Sequence, residues 1–327
     1  MRSWQVSAYG EPRDALTLTE VERPSPGPGQ VLVRVLAASA NFPDALLCRG
    51  TYQSRPPLPF CPGIELCGEI VAVGDQVDGF APGDRVMGGA VLPYGGFAEY
   101  ALMDARWTMP TPDVLDDASA AAFHITYQTG WFGLHRRARL AAGETLLVHA
   151  AAGGVGSGAV QLGKAAGAFV IGVVGGPAKA DAARSLGADV VVDRTREDFV
   201  EVVKSVTDGR GADVVYDPVG GVAYARSTKC IAFEGRIVIV GFASGQIPSA
   251  TLGHALVKNY SIVGLYWGLY QLKDPAAIRD CHVRLVELAT RGLIKPLVSE
   301  RLGLADVAAG VQRLADGETI GRIVFMP

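Results

Sequence analysis

The chain has 327 residues, 49% of them hydrophobic and 41 of them glycine, with a formal net charge of −3. That length is too great for one simple core, so two domains are expected, and the composition excludes a disordered or fibrous chain. Charge is nearly balanced and forms no block of one sign, which argues against nucleic acid or an anionic membrane as the main partner. No apolar run approaches the length of a membrane span, and the stretch from Met1 to Val6 lacks the apolar segment of a signal peptide. The cysteines (Cys48, Cys61, Cys67, Cys230 and Cys281) are odd in number and show no C-x-x-C spacing. They fit free thiols in a reducing compartment, and a cytoplasmic protein is expected.

In chain order, residues 1 to about 120 read as short strands separated by turns. Candidate strands fall at 31–35, 69–73, 84–87 and 97–101, the first introduced by the turn-rich run 24–29. From about residue 118 the texture changes to alternating helix and strand, which predicts a parallel, doubly wound sheet with right-handed crossovers. Its apolar runs lie at 145–148, 169–174, 189–192, 213–216 and 236–241. A helix is predicted over Pro275 to Arg291, followed by short strands ending at 322–325. The class is therefore α/β.

The most informative stretch is Val148-His149-Ala150-Ala151-Ala152-Gly153-Gly154-Val155-Gly156-Ser157-Gly158. A buried strand, a glycine turn and a helix over Ala159 to Ala166 form the arrangement in which a helix N-terminus offers free N–H groups to a pyrophosphate. Ala151 stands where G-x-G-x-x-G has its first glycine. Gly153 and Gly156 keep the positions for phosphate approach and for helix–strand packing. About twenty-four residues beyond Ala151, where NAD-selective sites carry an acid for the ribose hydroxyls, the chain reads Val173-Val174-Gly175-Gly176 with no carboxylate. Lys179 follows closely and Arg194 lies just past the next strand, cations suited to a 2′-phosphate. NADPH is the expected cofactor, against the plainer reading of both cations as solvated surface residues.

Several ordered motifs carry a resemblance over essentially the whole chain. They are Ala38-Ser39-Ala40-Asn41-Phe42-Pro43-Asp44, Pro62-Gly63-Ile64-Glu65, Gly83-Asp84-Arg85-Val86, Gly95-Gly96-Phe97-Ala98-Glu99-Tyr100 and the turn from Ala151 to Gly156. Together they resemble the zinc-free quinone oxidoreductase (ζ-crystallin-like) branch of the medium-chain dehydrogenase/reductase superfamily. The resemblance implies a GroES-like, β-rich catalytic domain over 1–122, to which 268–327 returns, and a Rossmann domain over 123–267. The active site would lie in the cleft between them. Zinc-dependent members place a cysteine and a histidine where this chain has Asn41 and Ile64, neither of them a good zinc ligand, so no metal is expected.

By the same resemblance Asn41 and Thr129 meet the nicotinamide, and Gly241, Phe242 and Ser244 line its ribose and carboxamide. Ala151, Gly153, Gly154, Val155 and Gly156 would hold the pyrophosphate. Asn41 could equally cap the turn at Pro43-Asp44, and Thr129 could bond its own helix backbone. Tyr52 is the candidate proton donor, because related enoyl-thioester reductases carry a tyrosine in a similar setting; the alternative is an aromatic lid. None of the five histidines has a partner pattern for nucleophilic catalysis. The implied activity is NADPH-dependent hydride delivery to quinones or α,β-unsaturated carbonyls. An enoyl-thioester reductase and an NADPH-binding protein with little turnover are the alternatives. The β-prone, aromatic run 260–267 suggests a homodimer joined through the edges of two Rossmann sheets, or else a strand buried within one subunit.

Overall fold

The structure is a computed structural model that describes all 327 residues. The chain divides into two compact bodies. The first comprises Met1–Ile125, Asp274–Val286 and Pro296–Pro327, and the second Thr126–Lys273 and Glu287–Lys295. The division thus falls close to residue 123, while 268–273 and 287–295 belong with the second body.

The strands in chain order are β1 (Arg2–Val6), β2 (Leu16–Glu20), β3 (Gln30–Ser39), β4 (Glu65–Val73), β5 (Arg85–Gly89), β6 (Tyr100–Asp104) and β7 (Met109–Pro110). They continue with β8 (Thr145–His149), β9 (Phe169–Val174), β10 (Val190–Asp193), β11 (Ala212–Asp217) and β12 (Ile231–Ile239). The last are β13 (Ser261–Gly264), β14 (Val298–Gly303) and β15 (Arg322–Met326).

The first body is built on a mixed sheet in the order β14-β15-β3-β4-β5-β7, with β6 pairing β3. Only the β14–β15 pair runs parallel; β15–β3, β3–β4 and β4–β5 are antiparallel. β3 is long enough to serve three partners, binding β4 along its length, β6 near its start and β15 near its end. That arrangement brings residues 38–39, 65–66 and 324–325 side by side, although they lie far apart in sequence. The core beneath packs Val33, Leu66, Phe97 and Phe325, with the last two rings edge to face at 5.3 Å.

The second body is a six-stranded parallel sheet in the order β10-β9-β8-β11-β12-β13. Its chain order reverses between β8 and β11, the Rossmann pattern, and ligands of such sheets bind at the carboxyl ends of the strands near that switch. β8 is buried at every residue, so its apolar run marks a central strand. The helix Gly154–Ala165 starts five residues earlier than the predicted Ala159, because glycines that look like turn residues form its first turn. The helix Pro275–Thr290 falls where its pattern places it. β13 occupies the outer edge of the sheet and pairs only with β12, in parallel, and Tyr260, Leu265 and Trp267 around it are buried within the chain. No helix is long and apolar enough to cross a membrane.

Candidate active site

In the first body, Asn41 is the N-cap of the helix Phe42–Cys48, in extended conformation. Its N–H donates to Asp44 Oδ2 at 2.8 Å, and Asp44 Oδ1 accepts the N–H groups of Gly63 (2.9 Å) and Ile64 (3.1 Å). Asp44 is wholly buried, and burial pushes its carboxyl up to about 7 despite these three donors. The helix start and the Gly63-Ile64 turn are therefore held by one carboxylate.

The Asn41 side chain faces a second buried carboxylate. Its Nδ2 donates to Glu65 Oε2 at 2.9 Å and to the Ser39 carbonyl at 3.2 Å, while its Oδ1 accepts from Arg322 Nη1. Arg322 Nη1 also donates to the Ala40 carbonyl at 3.0 Å, and Nη2 lies 4.0 Å from Glu65 Oε2. Glu65 Oε1 accepts the N–H of Ile125 at 2.7 Å, in the first turn of the helix His124–Trp131 that carries Thr129. Burial raises the Glu65 carboxyl, opposed by Arg322 and by the Asn41 amide. Both donors of the Asn41 amide are thus engaged within the protein. Ile64, next to Glu65, is partly buried against the core.

Tyr52 lies half-buried in the loop after the helix Phe42–Cys48 and packs on the same core. Its loop turns at Gly50, whose φ of +67° favours glycine. A Cβ at Gly50 would lie 2.8 Å from the Tyr9 ring, so the missing side chain lets Tyr9 lie against the loop.

In the second body, Thr129 is buried. The next residue, Gly130, packs closely on the helix Gly154–Ala165, where an added Cβ would come within 2.8 Å of Leu162 Cδ1. β8 ends at His149, Ala150 takes φ +49°, and Gly153 becomes the N-cap with no side-chain cap. The first N–H groups of a twelve-residue helix are therefore left for a ligand. A Cβ on Gly156 would lie 2.1 Å from the Ala150 carbonyl oxygen, so only glycine lets the helix sit this close to its turn. Ala151 is accommodated in place of glycine because β9 presents Gly172 opposite it, where a Cβ would come within 2.9 Å of Ala151 Cβ.

At the end of β9 the Arg194 guanidinium lies over Gly175, 3.1–3.4 Å from where a Cβ would be. Lys179 stands in the first turn of the helix Pro177–Ser185, and partial burial together with Arg194 lowers its ammonium pKa. Two cations thus approach one another beside a glycine-only turn. Asp193, at the end of β10, turns its Oδ1 onto the Gly176 N–H (2.9 Å), the Thr195 N–H (3.1 Å) and the Thr195 hydroxyl (2.8 Å). These bonds hold its carboxyl below the usual range and commit it to the turn. Its clamp on Gly176 was not read from the sequence, although an aspartate two residues before a threonine at a strand end is a turn-bonding pattern.

The segment after β12 runs beside the segment after β11. Ala243 and Ser244 donate their N–H groups to the carbonyls of Pro218 and Val219, both at 3.0 Å. The Phe242 ring covers Gly220, at φ +69°, and Gly241 faces Pro218. Asp217 Oδ1 accepts the N–H groups of Val219 (2.8 Å) and Gly220 (2.9 Å), fixing the other wall. Gly241, Phe242 and Ser244 accordingly stand at the carboxyl end of the sheet, as do the glycine turn and the two cations.

The chemistry of these donors suits a dinucleotide: an uncapped helix N-terminus beside a glycine turn, then two cations at the next strand end. A family model described as zinc-binding dehydrogenase matches residues 154–281, and one described as alcohol dehydrogenase GroES-like domain matches residues 27–113. A quinone oxidoreductase-like protein 2 homolog from Nematostella vectensis is 40% identical over 302 residues, spanning 91% of this chain and 82% of the relative. Among solved structures, the quinone oxidoreductase of Pseudomonas syringae pv. tomato DC3000 superposes with a TM-score of 0.93 at 33% identity, covering 100% of this chain and 99% of that one. The Escherichia coli quinone oxidoreductase complexed with NADPH gives a TM-score of 0.93 at 29% identity and covers 100% of both chains. The chain is an oxidoreductase and belongs to the quinone oxidoreductase branch of the medium-chain dehydrogenase/reductase superfamily.

Proposed function

We propose that this protein binds NADPH and reduces quinones or α,β-unsaturated carbonyls without a metal ion. The observation that carries the reading is that the Arg194 guanidinium lies over Gly175 and Lys179 stands in the first turn of the helix that follows, at the end of β9, where Asp193 is already spent on backbone and Thr195. A 2′-phosphate satisfies two close cations; a ribose diol does not. The N–H groups at the start of the helix Gly154–Ala165 would hold the pyrophosphate, with Ala151, Gly153, Gly154, Val155 and Gly156 as the surrounding turn. Gly241, Phe242 and Ser244 would bound the nicotinamide ribose. When bound, NADPH supplies a hydride to an electron-poor acceptor.

Asn41 and Thr129 are proposed to orient the nicotinamide, Asn41 as a rigid wall because its amide donors are engaged internally. The lack of need for metal is supported by the same network. Where zinc-dependent relatives place a thiolate and an imidazole, this chain has the Asn41 amide, held by Arg322 and Glu65, and the apolar Ile64. Reduction of the acceptor takes up a proton as well as a hydride: with an α,β-unsaturated carbonyl the Tyr52 hydroxyl is the proposed donor to the enolate, whereas a quinone draws its proton from water and leaves Tyr52 as a lid. The five cysteines are free and buried, which suits a reducing compartment such as the cytoplasm. Two copies are proposed to pair through β13 and the neighbouring helix Leu252–Lys258, whose Leu252, Leu256 and Val257 are each at least 75% exposed.

The test is NADPH oxidation by EDTA-treated protein with 9,10-phenanthrenequinone and with crotonyl-CoA, for wild type and Tyr52→Phe. Turnover of the quinone by both forms supports a quinone reductase in which Tyr52 is a lid. A large loss confined to crotonyl-CoA assigns Tyr52 as donor in an enoyl-thioester reductase. Tight NADPH binding with no turnover of either acceptor contradicts the proposal and leaves a cofactor-binding protein.

A further inference from the structure

Glu65 and Arg322 stand 257 positions apart in the sequence yet form one buried polar centre, with relative exposures of 0% and 5%. Between them lies the Asn41 amide, its oxygen toward the guanidinium and its nitrogen toward the carboxylate. An inverted amide would set N–H against a cation and a carbonyl oxygen against an anion, so the two charges select one orientation. Glu65 reaches a second target with its other oxygen, the Ile125 N–H in the first turn of the helix that carries Thr129. A carboxylate at a helix N-terminus is favoured by the orphan N–H groups there and by the helix dipole. No surface group competes for this carboxylate, because it has no exposure.

We propose that Glu65 and Arg322 are positioning residues: together they lock the Asn41 amide and anchor the start of the Thr129 helix, and so set how the nicotinamide ring is held. This inference rests on the proposed placing of Asn41 and Thr129 beside the nicotinamide. Burying two charges for a fold alone is poorly rewarded, since apolar replacements of similar volume are often as stable. A pair that orients a side chain between them has a reason to remain charged.

The experiment compares wild type, Glu65→Gln and Arg322→Lys in the full chain. Gln at 65 turns one acceptor into a donor, leaving either Asn41 Nδ2 or the Ile125 N–H without its partner. Lys at 322 keeps the charge but loses the fork that sets Nη1 on Ala40 and Asn41 while Nη2 faces Glu65. Each is read by NADPH affinity, by the emission shift of bound NADPH, by kcat with 9,10-phenanthrenequinone, and by the primary isotope effect with NADPH deuterated at the transferred position. The expected result is an unchanged Kd, a smaller emission shift, kcat lower by about tenfold to a hundredfold, and a larger isotope effect. Variants that match wild type in kcat, emission and isotope effect overturn the proposal. So do variants whose kcat falls only in step with the folded fraction while the isotope effect stays constant. A wild-type protein that neither shifts NADPH emission nor oxidises NADPH defeats the functional reading itself, a result distinct from either of these.

Discussion

Replacing Arg194 by alanine removes the guanidinium that lies over Gly175 while leaving the glycine turn untouched. A hydrogen bond to a charged group contributes about 1.5–3 kcal/mol when well formed, and the exposure of Arg194 places this one at the lower end. That corresponds to a roughly tenfold weaker NADPH complex, since about 1.4 kcal/mol is one decade of affinity. Adding Lys179→Ala removes the second cation and deepens the loss, and the two single variants with the double form a cycle that reads the coupling between these neighbouring charges. NADH lacks the 2′-phosphate, so its affinity is expected to stay constant in each variant. Fluorescence titrations with each nucleotide at low and high salt provide the assay. Wild type should show a salt-dependent preference for NADPH, and the double variant should lose both preference and salt dependence. Equal losses for NADPH and NADH would refute the reasoning, because the two cations would then serve the fold or the pyrophosphate. So would no loss for NADPH.

Gly156→Ala forces a Cβ to within 2.1 Å of the Ala150 carbonyl oxygen, and is expected to destabilise the protein by about 1–3 kcal/mol and to weaken NADPH binding; thermal unfolding with and without NADPH reads both. His282 is buried and neutral, its pKa lowered from 6.5 to about 4 by burial, so below pH 6.5 the unfolded chain takes up a proton that the folded one refuses until about pH 4. Stability therefore falls with pH across that window. His282→Asn should relieve the wild-type slope by about 1.4 kcal/mol per pH unit, as read by urea unfolding. The difference between the two proteins isolates this residue from Asp44, whose raised pKa acts with opposite sign. Leu256→Glu places a charge on the exposed face of the helix Leu252–Lys258. Wild type is expected to sediment as a dimer and the variant as a monomer; a monomeric wild type at micromolar concentration contradicts the edge-pairing reading.

The second body was the more legible one, because parallel strands buried on both faces appear as uninterrupted apolar runs such as Leu146 to Val148 and Val170 to Val174. Strand β12 was seen only in its second half, since Phe233, Glu234 and Gly235 interrupt its apolar pattern. Ala151 looked like a defect in the glycine fingerprint. Its explanation is Gly172 on the neighbouring strand, a compensation visible only once β8 and β9 are in register. Lys179 and Arg194 could be singled out because an acid was missing at the expected spacing. The Asn41 network could not: Asn41, Glu65, Ile125 and Arg322 meet only through the pairing of β3 with β4 and β15, and no local pattern reports a contact over such separations. Asp44 illustrates the same limit. Beside Pro43 it reads as a turn former, whereas in the structure it also gathers the Gly63 and Ile64 N–H groups.

The most direct test of the central claim is the steady-state oxidation of NADPH and NADH, side by side, with 9,10-phenanthrenequinone as acceptor and purified protein freed of metal. The account predicts turnover with NADPH and a kcat/KM for NADPH about tenfold or more above that for NADH, from the two cations at the end of β9. Equal or greater efficiency with NADH, or activity that disappears with the metal, would contradict it.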